Sequence, residues 1–119
     1  MKNNVQELEY KGNKYNLVFN LNVMEAIQEE YGTLDKWSDL TEGSKEEVNA
    51  KAVIFGFTQM INEGIDIKNE EEGTELKPLT LKQVGRMLSE VGIEKAASQM
   101  QTTVVESVGA PEENKSKNE

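Results

Sequence analysis

Cysteine and histidine are both absent from the 119 residues. Without thiolates there are no disulfides, no thiol nucleophile and no thiolate metal site, and the chain fits a reducing compartment. Without imidazole, Ser-His-Asp and Cys-His systems and the usual zinc ligand sets fall away too. Aromatics are scarce, with 3 Phe, 3 Tyr and 1 Trp, so any core must be built mainly from Val, Ile, Leu and Met. Basic residues are in deficit: 13 Lys and Arg face 22 Asp and Glu, a net charge of −9. Phosphate backbones and anionic bilayers repel such a chain, so neither nucleic acid nor membrane is expected as a partner. A basic protein segment is the more natural one; DNA mimicry is open to any acidic chain but realised by few.

Long apolar runs are missing as well. No segment approaches the roughly 18 apolar residues of a membrane span, and MKNNVQELEY has no apolar signal core. Asn114-Lys115-Ser116 is then a chance match to the glycosylation triplet. No phosphate-binding glycine pattern occurs. Carboxylates are plentiful enough for a glycosidase-like pair to arise by accident, yet one small core offers no evident cleft. The expectation is a non-enzyme, with no catalytic, cofactor-binding or metal-binding residue to assign.

What is present is one domain's worth of patterned chain, expected over residues 1–108. The segment 109–119, GAPEENKSKNE, is expected to be a disordered polar tail. The organising stretch is 15–32, YNLVFNLNVMEAIQEEYG. Tyr15, Leu17, Phe19 and Leu21 alternate with Asn16, Val18 and Asn20, the period of a strand with one buried face. At Asn22 the period changes. Asn22 with Glu25 reads as a capping box and Leu21 with Ala26 as a hydrophobic staple; Val23, Ile27 and Tyr31 mark a helix face that ends at Gly32. Strands 5–10 and 15–21 read as a hairpin around Gly12-Asn13 in a type II′ turn, which sets Tyr10 opposite Tyr15 and Leu8 opposite Leu17.

Thr33 is placed to cap a short helix bearing Leu34, Trp37 and Leu40. Trp37 is either a core or lid residue, the usual fate of a lone aromatic, or a binding hot spot. Ser44 with Glu47 reads as a second capping box, opening a helix over 45–63. Its run AVIFGFTQMI is apolar nearly all round, as in a helix buried on several sides. Gly56 there permits close approach of another element, while Asn62 and Gly64 read as the stop. Residues 65–78 read as an irregular loop in which Glu70, Glu71, Glu72 and Glu75 cluster. Calcium-loop spacing fails there, which leaves a solvated connection or an acidic docking surface. Thr80 with Gln83 reads as a third capping box, ahead of an apolar stripe of Leu81, Val84, Leu88 and Val91 with Met87 beside it, closed by Gly92. Residues 93–108 read as a last helix with Ile93, Ala97, Met100 and Val104 on one side. The fold class is therefore α+β, a hairpin on four or five helices.

The succession in 15–32, the apolar helix centre over 52–61, and Leu79-Thr80-Leu81-Lys82-Gln83-Val84-Gly85-Arg86-Met87-Leu88 together resemble the tail assembly chaperones of long-tailed phages and prophages. The resemblance spans roughly residues 5–92, and its motifs are structural rather than catalytic. It implies a non-enzymatic protein of the infected or lysogenic bacterial cytoplasm. Such proteins bind the tape measure protein and keep it assembly-competent while tail tube subunits assemble. Many members also have a longer, frameshifted form. The segment 66–77 matches no part of that pattern.

A client far longer than a 13 kDa domain needs many copies, so reversible head-to-tail oligomers are expected. The surfaces expected to hold the client are the hairpin edges, the methionines Met87 and Met100 if exposed, and the acidic Glu70, Glu71, Glu72 and Glu75. The alternative from another class is an acidic adaptor or inhibitor that binds a basic host or toxin partner.

Overall fold

The chain begins its described structure as a tight hairpin because Lys11 and Gly12 both adopt positive φ, 51° and 80°. Positive φ at both central residues is the requirement of a type I′ turn, whose twist matches that of the flanking strands. The strands are β1 (Gln6–Tyr10) and β2 (Asn13–Leu17). Lys11 rather than Asn13 shares the turn with Gly12, so the expected register is corrected: Leu8 pairs with Tyr15, and Gln6 with Leu17. The slip is two residues, which preserves faces; a slip of one would have turned the apolar set outward. Leu8 and Leu17 are buried as the alternation requires.

The computed structural model describes residues 6–42 and 47–108. The expected capping residue Ser44 and the expected tail 109–119 lie outside them. After the hairpin come five helices: α1 (Leu21–Tyr31), α2 (Leu34–Thr41), α3 (Ala50–Glu72), α4 (Leu81–Val91) and α5 (Ile93–Val108). The fold is α+β, a two-stranded antiparallel sheet followed by helices.

The caps show which local signals win. Asn20, not Asn22, caps α1, its side chain accepting from the Val23 amide at 3.2 Å. The strand ends three residues before it, and Leu21 is left 69% exposed instead of forming a staple. Thr33 caps α2, and Thr80 with Gln83 forms the capping box of α4 as expected. Asn49 caps α3 through the Ala52 amide at 2.9 Å.

Gly64 does not stop α3. The buried pair Ile61 and Ile65 carries the helical period past it, and the stop is Gly73, left-handed at φ 71° with its amide bonded to the Asn69 carbonyl. Gly64 instead gives room. A Cβ there would overlap the Asn16 carbonyl oxygen and lie 3.2 Å from its carbon. One turn of α3 thus seats the whole β2–α1 junction. The Val18 amide donates to the Met60 carbonyl at 3.3 Å. The Asn20 and Asn22 side-chain amides both donate to one oxygen of Glu63, at 2.7 and 3.0 Å.

The organising element is accordingly α3, which packs on β2, α1, α2, α4 and α5. Trp37 is fully buried and its indole N–H donates to the Ala52 carbonyl of α3 at 3.0 Å. It lies against Gly56, with Met100 of α5 on the same spot. We predict emission well to the blue of free tryptophan; a maximum as red as the indole in water would contradict this packing.

Met87 and Met100 are core residues, 2% and 0% exposed, and are not exposed docking methionines. Met87 falls on the inward stripe with Val84 and Leu88, three and one residues away, while Met100 joins Ala97 and Val104. With so few aromatics, unbranched methionine fills the irregular gaps beside Trp37 and α3.

Candidate functional site

Helix α4 has two faces that matter, an inward apolar stripe and an outer stripe of Leu and small residues. Val84, Met87 and Leu88 point into the core. Leu81, Gly85 and Ser89, at i, i+4 and i+8, form a second stripe that opens to solvent. Facing it from the first turns of α3 are Lys51, Ile54 and Phe55, with Glu30 at the end of α1. Together they line an open groove of about 740 Å³. Its floor is Ile54, Phe55, Leu81 and Gly85; Leu81 is 52% exposed although nothing polar requires it to be.

The walls are held from behind. Tyr31 meets Phe55 edge-on, with ring centroids 5.6 Å apart at 72°. Its hydroxyl is buried without a hydrogen-bond partner among the described residues. Burial, and secondarily the neighbouring Glu30 carboxylate, hold that hydroxyl above the ordinary phenol range, so it is neutral at physiological pH.

The connection into α4 is strapped along α3 by two asparagines seven residues apart, which share a face of the helix. The Asn62 side chain accepts from the Leu79 amide at 2.8 Å and donates to the Leu79 carbonyl at 3.0 Å. Asn69 does the same to Leu76, at 3.0 and 2.9 Å, and accepts from the Thr74 hydroxyl at 2.7 Å. Each amide thus imitates a strand neighbour and satisfies one residue's backbone donor and acceptor. The segment expected to be an irregular loop is therefore helix to Glu72, then a bound strap that fixes where α4 starts and how wide the groove is.

Charge is distributed against the balance of the chain. Lys51, Lys82 and Arg86 rim the groove against one carboxylate, Glu30, in a protein of net charge −9. Lys51 is 3.9 Å from Glu30, both solvent-exposed, a pair of little energetic weight. Among the described residues neither Lys82 nor Arg86 has an ion-pair partner. The acidic cluster lies elsewhere. Glu70, Glu71 and Glu72 form the last turn of α3, at the negative end of its dipole, and Glu75 follows the cap; all four are exposed. Ile54 and Glu70 are 16 residues apart on one helix, about 24 Å along its axis. The fold therefore separates a basic, apolar groove from an acidic end, and brings none of the other expected site residues to the groove. Among the described residues no group of three or more acidic side chains is placed to hold a metal ion.

Gly85 bears directly on what the groove is for. A Cβ there would meet only Ile54 Cδ1, at 3.5 Å, an ordinary contact. The fold does not need glycine at this position, and glycine in a helix interior costs about 1 kcal/mol relative to alanine. Gly85→Ala is expected to raise stability by roughly 0.5–1 kcal/mol, read as a shifted denaturant midpoint at unchanged slope. A destabilised Gly85→Ala would mean that the helix fits its neighbours more tightly there than the Ile54 distance allows.

The groove was not read from the sequence. The signal available was the second stripe of α4, with small or apolar residues at 81, 85 and 89 flanked by Lys82 and Arg86. Comparison with protein-family models, with curated proteins and with solved structures finds no match to this chain.

Proposed function

We propose that this chain is a non-catalytic binding module that serves as a phage tail assembly chaperone, holding the tape measure protein in an assembly-competent state. The supporting observation is that the resembling stretches fall, in chain order, on regular elements of the fold. Residues 15–32 take in the end of the hairpin's second strand and the capped α1, residues 52–61 lie within α3, and Leu79-Thr80 opens α4 with its capping box. The apolar groove lies between the last two of these helices. A protein that keeps a long client soluble needs a surface of that kind, shallow and apolar, together with weak contacts repeated over many copies. Such work belongs to the bacterial host cytoplasm. No helix among the described residues is long and apolar enough to cross a membrane.

The test is co-expression with the tape measure protein of the phage or prophage that encodes the chain. Soluble tape measure recovered in a complex with it is the expected result. Tape measure that stays insoluble and unbound would overturn the reading.

A second reading rests on the acidic end of α3, where Glu70, Glu71, Glu72 and Glu75 are exposed together. There the chain would act as an adaptor or inhibitor for a basic host or toxin partner, steered by charge over a Debye length of about 8 Å at physiological salt. Charge of this kind raises encounter rate more than final affinity. Changing the four residues to Gln should slow association with such a partner at low salt; an unchanged on-rate removes the reading.

A further inference from the structure

We infer that the groove between α3 and α4 docks an acidic amphipathic helix of a partner protein, with its apolar side chains on Ile54, Phe55 and Leu81 and its carboxylates on Lys82 and Arg86. The inference rests on the reading of this chain as a protein-binding module, and adds the site and the chemistry of the occupant.

Shape argues for a helix. The groove runs beside α4, whose 11 residues span about 16 Å, three turns of a helical partner. It is partly open to solvent, and its polar side chains, Glu30, Lys51, Lys82, Arg86 and Ser89, are all exposed. A small-molecule site orients its ligand with a few precisely placed polar groups, which flexible, exposed side chains do not supply. Laying an amphipathic helix into such a groove is a standard mode of peptide recognition, read through anchors at i, i+3, i+4 and i+7. Gly85 is part of the groove's lining beside Ile54, where the fold tolerates a Cβ, so its missing side chain leaves depth for an anchor of the partner.

Charge selects the partner. Lys82 and Arg86 are one helical turn apart, exposed and unpaired among the described residues, so they can meet carboxylates one turn apart on a parallel or antiparallel helix. A basic helix would face three cations across the groove.

A second copy of this chain is acidic too, but the acidic end of its α3 does not present the required stripe. Beside Glu70, Glu71, Glu72 and Glu75 the one large exposed apolar side chain is Leu76.

The test uses the full chain and two labelled synthetic helices of about 18 residues, long enough to hold helix when Leu sits at i, i+3, i+4 and i+7. One carries Glu on the flanks of the stripe, the other Lys. Fluorescence anisotropy should show the Glu helix binding at least about tenfold more tightly than the Lys helix, with the difference shrinking as salt rises. Lys82→Glu with Arg86→Glu should reverse the preference. Gly85→Leu should fill the floor and weaken the Glu helix by about tenfold or more while Trp37 emission stays that of the parent.

Equal binding of the two helices, or of parent and Gly85→Leu, would overturn the assignment. So would binding of a nonpolar dye with no binding of either helix. Sedimentation showing self-association that Gly85→Leu abolishes would give the groove to a second copy and overturn it as well. Co-expression separates this inference from the chaperone reading. Tape measure captured equally by parent and Gly85→Leu leaves that reading standing and removes the groove. Peptide binding without tape measure capture does the reverse.

Discussion

Trp37→Ala is expected to remove about 3–5 kcal/mol of stability, the range for deleting a large aromatic from a packed core. The residue is fully buried where α2, α3 and α5 meet, and it is the largest side chain in that position. Trp37 and Met100 both crowd the Gly56 position, so the hole can close only in part without moving a helix. At about 4–8 °C per kcal/mol for a domain near 100 residues, the melting midpoint should fall by roughly 12–40 °C. A domain of this size holds about 5–15 kcal/mol in all, so the variant stands at the edge of folding.

Trp37→Phe isolates the two parts of the effect. It keeps most of the ring volume and loses the N–H that reaches the Ala52 carbonyl, which as a helix carbonyl retains its own backbone partner. A smaller loss of about 1–2 kcal/mol is expected. Because Trp37 does not line the groove, the Phe variant should bind the acidic helix as the parent does. Thermal melts followed by far-UV circular dichroism decide it, since the chain has 1 Trp and the variants lose that probe. An alanine variant melting within a few degrees of the parent would refute the packing described for this junction.

What the sequence disclosed was local, and what it hid was long-range. Thr80 with Gln83, Thr33 and Gly92 act within one turn of their own helix, so their roles were legible from spacing alone. Val84 and Leu88 of the expected α4 stripe and the buried face of Val23 and Ile27 follow from period for the same reason, whereas Leu81, expected on that stripe, is exposed at the groove. Gly64 has two readings in a sequence, a stop or a close approach. Only the position of the Asn16 carbonyl, 48 residues earlier in the chain, decides between them. Asn62 looked like a helix breaker because its partner, the Leu79 backbone, is 17 residues away. Asn20 outcompeted Asn22 as the cap because β2 ends at Leu17, which in turn follows from Lys11 entering the turn. Met87 and Met100 were legible as stripe members; reading them as surface ran against their own spacing. The groove needed three elements at once, and no window along the chain contains it.

Gly64→Ala tests the most consequential of these distant contacts, and it is expected to destabilise by about 2 kcal/mol net. Two effects oppose each other. Alanine favours the helix by up to about 1 kcal/mol. Against that, the new methyl would overlap the Asn16 carbonyl oxygen and crowd its carbon and Cβ, at 3.2 and 3.3 Å. Overpacking of this kind costs about 1–3 kcal/mol, and the upper end applies because the obstacle is strand backbone rather than a mobile side chain. Relief requires lifting β2 off α3. That also strains the Val18 bond to Met60 and the two asparagine bonds to Glu63.

Gly56→Ala meets the Trp37 ring and the Met100 sulfur instead, the latter at 2.9 Å. Methionine yields easily, but the indole is fully buried and held by its bond to the Ala52 carbonyl, so the loss should be comparable to that at Gly64. Gly85→Ala meets almost nothing and should gain. One substitution at three helical glycines thus has an expected order of stability, with Gly85 above the parent and both Gly56 and Gly64 below it. Denaturant melts of the three variants measure it directly. A Gly64→Ala chain as stable as the parent would mean that the hairpin is not seated on α3 at that distance, and the β2–α1 junction would need another anchor.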